Sequence, residues 1–191
     1  GSSVSENSAP DESGRGGGIY TVTGSVTVAD STVHGNASGD NGGGIFSTSG
    51  SVTLTDSTVS GNNSGGDGGG IFAESSSVTL VTSTVRANVA GTVSNSSGGG
   101  ISTNSGAVTL TQSTISQNVA VFSGGGISAI AGSVSLIRST VTRNSTTGFS
   151  NGGGGIYANS ASVTVVESTV SENSTAGPNG QGGGIRAQGG A

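Results

Sequence analysis

The chain has 191 residues, a formal net charge of −5, 39 glycines and no cysteine; its five basic residues are scattered arginines and it contains no lysine. Without clustered cations it has nothing to offer a phosphate backbone or an anionic membrane surface, and without cysteine neither a disulfide framework nor a thiolate metal site is open to it. A hydrophobic content of 29% with no run of about 18 apolar residues rules out membrane insertion by a helix and borders on the composition of disordered chains.

Repetition overrules that last reading. Residues 1–15 read as the tail of a repeat, because Ser2-Ser3-Val4-Ser5-Glu6-Asn7 lines up with Ser168-Thr169-Val170-Ser171-Glu172-Asn173. A polar loop then leads to a triple glycine that begins at Gly16 and recurs at Gly42, Gly68, Gly98, Gly124, Gly153 and Gly182, at spacings of 26, 26, 30, 26, 29 and 29 residues. A fixed period in this range marks a solenoid or a propeller. Each unit reads as a glycine turn, three short strands rich in Val and Thr, and a loop, with no persistent helical period. A propeller blade needs about 40 residues or more, so the shorter period selects a parallel β-helix.

Alternation by two assigns the inward columns. Ile19, Ile45, Ile71, Ile101, Ile127, Ile156 and Ile185 form the first; Val26, Val52, Val78, Val108, Val134 and Val163 the second; Val28, Leu54, Leu80, Leu110, Leu136 and Val165 the third; Val33, Val59, Val85, Ile115, Val141 and Val170 the fourth. Four apolar side chains cannot offset the entropy of ordering a whole unit, so single units are expected to fold only as a stack. Asn7, Asn36, Asn62, Asn88, Asn118, Asn144 and Asn173 fall at one equivalent position, where stacked amides can bond along the column. Asn36, Asn62, Asn144 and Asn173, with Asn95 in a loop, also match the Asn-x-Ser/Thr acceptor pattern; for the column, an inward ladder is the expected role. The chain divides as one solenoid over 1–191: a partial coil at 1–15, six full coils over 16–181 and a partial coil at 182–191.

On the outward face, Thr27, Thr53, Thr79, Thr109 and Thr164, with Ser135 completing the column, form a hydroxyl grid similar to the ice-binding faces of β-solenoid antifreeze proteins. Tyr20, Phe46, Phe72 and Tyr157 are expected to project outward just after the isoleucines, as a stacked aromatic surface for sugars or a partner. The loops between the ladder Asn and the next glycines hold all the length variation, longest at 89–97, 145–152 and 174–181. Insertions gathered on one face of a repeat protein often mark its binding face.

Catalysis or calcium binding would need clustered carboxylates and a basic group. Asp30 and Asp56 share a column that Thr82 and Gln112 continue, Asp40 and Asp67 lie in neighbouring loops, and His34 is replaced by Ser60 and Arg86 at equivalent places. Neither a catalytic residue, a metal nor a cofactor is assigned.

The pairing of Gly-Gly-Gly-Ile with Val/Ile-x-x-Asn resembles the GGAI and FxxN repeats of bacterial polymorphic outer-membrane proteins, and more broadly the parallel β-helices of the pectin-lyase-like superfamily. Gly44 and its equivalents stand where that pattern has Ala, and Val33, Val59 and their equivalents where it has Phe. The resemblance implies an all-β, right-handed parallel β-helix of about six to seven coils. It further implies an exported or cell-surface location and a structural or adhesive role without an active site. The partners expected are flanking repeats or a second copy stacked end to end, together with glycans or a host-cell surface. Nucleic acid is not among them. Ice binding and a polysaccharide lyase or hydrolase are the alternative functions.

Overall fold

In the computed structural model, which describes residues 1–91, 95–148, 152–177 and 179–189, the chain winds into a parallel β-solenoid of about seven turns. Three parallel sheets run along its length, with eleven, seven and seven strands among the described residues. The register is the one the repeat dictates: Ile19 pairs with Ile45, Ile45 with Ile71, and the column continues through Ile101, Ile127 and Ile156 to Ile185. In the second sheet Val33 pairs with Val59, Val59 with Val85, Val85 with Ile115, and so on to Val170.

Two of the short strands expected from the sequence belong to one sheet. They stay separate as Ile19–Thr21 and Val26–Ala29 in the first coil, and merge into Ile45–Thr55 and Ile71–Val81 in the next two. The third sheet is built from two-residue strands such as Ala37–Ser38, Asn63–Ser64 and Val89–Ala90, in a segment read from sequence as the start of the loop. Two residues are too few to show an alternating pattern, so periodicity could not find them.

The four apolar columns fill the interior, and from Ile45 to Ile156 their members are almost all fully buried. A fifth inward column escaped the sequence reading because its chemistry changes from coil to coil: Ser47, Ala73, Thr103, Ala129 and Ala158 are each 0% exposed. Ser47 and Ser76 share a hydroxyl hydrogen bond of 3.0 Å inside it, whereas the Thr103 hydroxyl is buried without a partner.

Two sharp corners separate the sheets, and each is set by a column of residues with positive φ. Asp30, Asp56, Thr82, Gln112, Arg138 and Glu167 hold φ of 48–50° at the first corner. Glu6, Gly35, Gly61, Ala87, Gln117, Arg143 and Glu172 hold 54–64° at the second. Most of these residues have a Cβ and adopt the left-handed region against their own preference. The stack imposes the conformation, since a corner that turned differently in one coil would break register with both neighbours.

Candidate functional site

The ladder begins one residue after the second corner. The Asn36 side-chain amide donates to Asn62 Oδ1 at 3.0 Å, and the links Asn62–Asn88, Asn88–Asn118, Asn118–Asn144 and Asn144–Asn173 repeat the bond at 2.9–3.0 Å. Asn7 starts the series by donating to Asn36 Oδ1. From Asn36 to Asn144 each amide spends its second hydrogen on the coil behind it, as Asn62 does on the Val33 carbonyl and Asn118 on the Val85 carbonyl. Each Oδ1 also accepts the backbone N–H of the preceding Asn, as Asn88 Oδ1 does from Asn62. Both donors and both acceptor sites of the amide are therefore used, which is what a fully buried Asn requires.

The third glycine of each triplet makes room for this ladder, and the first two make room for main chain. Gly42 sits at φ 69°. A Cβ on Gly43 would meet the Asn63 carbonyl at 2.5 Å, and one on Gly44 would lie 2.7 Å from the Gly70 carbonyl oxygen and 3.0 Å from Asn62 Cγ. An alanine at position 44 has no space here, which accounts for the third glycine.

A second ladder, which the sequence reading missed, lines the first corner. The Ser31 N–H donates to Ser57 Oγ, Ser57 N–H to Ser83 Oγ, and the series continues through Ser113 and Ser139 to Ser168 at 2.9–3.1 Å. Each hydroxyl in turn donates to the carbonyl two residues before it, as Ser57 does to Thr55 at 2.7 Å. The recurring serine after each positive-φ residue was the available signal.

The outward threonines are aligned as expected: Thr27 pairs with Thr53, Thr53 with Thr79, Thr79 with Thr109, and Ser135 with Thr164. Thr27 and Thr164 are exposed and the members between them half-buried. The second sheet carries an unbroken column of its own, Thr32, Thr58, Thr84, Thr114, Thr140 and Thr169.

The aromatic column differs from the open surface expected of it. Tyr20 is 51% exposed, but Phe46 and Phe72 are 1% and 3% exposed and Tyr157 is also buried. The rings stack, with centroids 5.3 Å apart for Tyr20–Phe46 and 5.2 Å for Phe46–Phe72, and the Arg15 guanidinium lies 5.3 Å from the Phe46 centroid. These side chains do point away from the barrel interior. The glycine corner packs against the base of this column, where a Cβ on Gly42 would fall 2.9 Å from Phe46 Cβ. Ser102 and Ser128 continue the column, and their hydroxyls are buried without partners. As ligand contacts Phe46 and Phe72 are unavailable; they are packing residues.

The acids are dispersed. Asp30 and Asp56 stand exposed at corners, and Asp40 accepts a 2.9 Å ion pair from Arg15 Nε. Asp67 belongs to a short polar column: its N–H donates to Asn41 Oδ1 at 2.6 Å, and its Oδ1 accepts the Ser97 N–H at 2.7 Å. Burial pushes its carboxyl above the ordinary carboxylate range, against the pull of that N–H. Among the described residues no group of three or more His, Cys, Asp or Glu is placed to hold a metal ion. His34 is exposed and pairs with Ser5 and Ser60.

Residues 56–74 match the family model of the Chlamydia polymorphic membrane protein repeat. The matched segment runs from one corner through Val59, Asn62, the third glycine triplet at Gly68 and Ile71, so it contains both halves of the repeat motif. No curated protein and no solved structure matches the chain.

Proposed function

We propose that this solenoid is a structural or adhesive module of a bacterial surface protein: a stiff rod that spaces or presents binding surfaces and performs no catalysis. The observation behind this reading is the repeat match at 56–74 within a stack whose coils are all in one register. Fully satisfied ladders support a rod-like role, and the dispersed acids favour it over the polysaccharide lyase or hydrolase alternative. The location it implies is the cell surface, on a β-helix of pectin-lyase-like type. A recess of about 350 Å³ between Val4, Ile19, Val28 and Val33 fits a strand from a neighbouring coil, supplied by flanking repeats or by a second copy stacked end to end. Glycans or host cells are the proposed adhesive partners. Retention of the fluorescently labelled chain on epithelial cells or a glycan array is the expected result. No retention on either, together with cleavage of a pectin-like polymer, overturns the reading. Sedimentation that finds only monomer at high concentration removes the stacking.

The aligned threonines Thr27, Thr53, Thr79, Thr109 and Thr164 favour a second reading, an ice-binding face. Thermal hysteresis with shaped crystals supports it, and unaltered ice growth disposes of it.

A further inference from the structure

The five Asn-x-Ser/Thr patterns fall into two structural classes. Four belong to the ladder; Asn36, Asn62 and Asn144 are buried with both amide hydrogens committed, while Asn173 is half-buried and commits one. Asn62 Nδ2 donates to Val33 O at 3.1 Å and to Asn88 Oδ1 at 2.9 Å; Asn144 Nδ2 donates to Ile115 O and to Asn173 Oδ1, both at 3.0 Å. Asn36 makes the same two bonds, to Val4 O and Asn62 Oδ1, and Asn173 Nδ2 donates to Val141 O at 2.9 Å. Even a single carbon is too much beside them, since a Cβ on Gly126 or Gly155 would already meet the ladder amide at 2.9–3.1 Å. A sugar on the Asn36, Asn62 or Asn144 nitrogen removes a buried donor and demands volume that the glycine triplet has eliminated.

Asn95 is the contrary case. It lies in a turn at the variable corner with its side chain exposed. The residues after it are anchored: the Phe122 N–H donates to Ser96 O at 2.8 Å, Ser96 Oγ donates to Gly65 O at 3.2 Å, and the Ser97 N–H donates to Asp67 Oδ1 at 2.7 Å. Asn95 is therefore exposed beside a buried, hydrogen-bonded Ser96–Ser97 pair, at the corner where the repeat tolerates added bulk.

We propose that Asn95 is an N-glycosylation site, and that the fold excludes the buried sequons Asn36, Asn62 and Asn144 from modification. The reaction joins Asn95 Nδ2 to the anomeric carbon of an activated sugar donor, a glycosyl phosphate or pyrophosphate. The bond from that carbon to the phosphate oxygen breaks, the phosphate leaves with the electron pair, and the amide gives up one proton. No oxidation or reduction is involved. The proposal is independent of the adhesive reading.

Incubating the folded full chain with a soluble glycosyltransferase that reads Asn-x-Ser/Thr, and its nucleotide-activated hexose, tests this by intact mass and peptide mapping. The expected product carries a hexose at Asn95 and none at Asn36, Asn62 or Asn144, and the Asn95→Gln variant loses that hexose. The same chain unfolded in urea before a brief dilution into the assay serves as the competent control, and takes hexose at ladder positions too. Hexose on Asn36, Asn62 or Asn144 of the folded chain overturns the proposal. So does a folded chain left bare at Asn95 while the unfolded chain is modified.

Discussion

From the first glycine of each triplet to the ladder Asn the distance never changes: Gly42 to Asn62, Gly98 to Asn118 and Gly153 to Asn173 all span 20 positions. From the ladder Asn to the next triplet it varies, with 6 positions from Asn62 to Gly68, 10 from Asn88 to Gly98 and 9 from Asn144 to Gly153. The difference follows from how the two regions are bonded. The invariant corner is held by side-chain amides that reach the coils on either side, so it requires one residue type at one place. At the variable corner the bonds between coils come mainly from the main chain, as from Gly65 N–H to Ser38 O and Thr147 N–H to Ala120 O. Main-chain bonds are indifferent to the residue and survive when the chain between them lengthens.

The sharpest way to break this contrast is to remove one rung. Asn118→Ala takes the acceptor from the Asn88 amide and the Asn88 N–H, and one donor each from the Val85 carbonyl and Asn144 Oδ1, in a fully buried site. The expected loss is at least about 3 kcal/mol in urea unfolding. Asn7→Ala, at an exposed rung, should cost under about 1 kcal/mol. Equal losses at the two positions would mean that the ladder is ornamental. Next in size is Gly100→Ala, whose Cβ would meet the Gly126 carbonyl oxygen at 2.7 Å and Asn118 Nδ2 at 3.0 Å. Overpacking of this kind should cost about 1–3 kcal/mol by the same measurement.

Thr82→Gly should act in the other direction. Thr82 holds φ 50° with a β-branched side chain, and relief of that conformation is worth about 1–2 kcal/mol, reduced by about 0.5–1 kcal/mol for the added freedom of the unfolded chain. A rise in thermal midpoint is expected, and a fall would show that the stack does not impose the corner. Three glycines inserted after Asn95 test the tolerant corner directly. The cost should stay below about 0.6 kcal/mol, because loop closure entropy grows slowly with length.

The smallest expected effect is electrostatic. Burial raises the Asp67 carboxyl above its ordinary value of 3.8, so the fold favours the protonated acid. That contribution is complete below the ordinary carboxylate pKa and is lost as pH rises through the raised one. Asp67→Asn keeps an oxygen for the Ser97 N–H and removes the buried charge. It should stabilise the chain slightly at pH 7 and leave it unchanged near pH 3, as pH-dependent urea midpoints will show.

Much of this architecture was legible before any coordinates, for a reason particular to repeats. When every coil lies over the last, residues one period apart are neighbours, so columns read from spacing become contacts. That is how Ile45 was placed between Ile19 and Ile71, and Asn62 between Asn36 and Asn88. The same logic covered the outward threonines, whose alternation with buried valines shows on one strand.

What lies over a side chain is a different matter, because it depends on the path of a segment with no period of its own. Phe46 and Phe72 alternate with the inward isoleucines along their strands, yet they are buried, with the glycine corner packed against their bases. The two-residue strands and the serine ladder likewise depend on where the corners bring the chain. Repetition in one dimension determined the columns and the fold. Only the folded chain decided which outward residues meet solvent and which sequon is free, because covering is a relation between segments whose separation no period encodes.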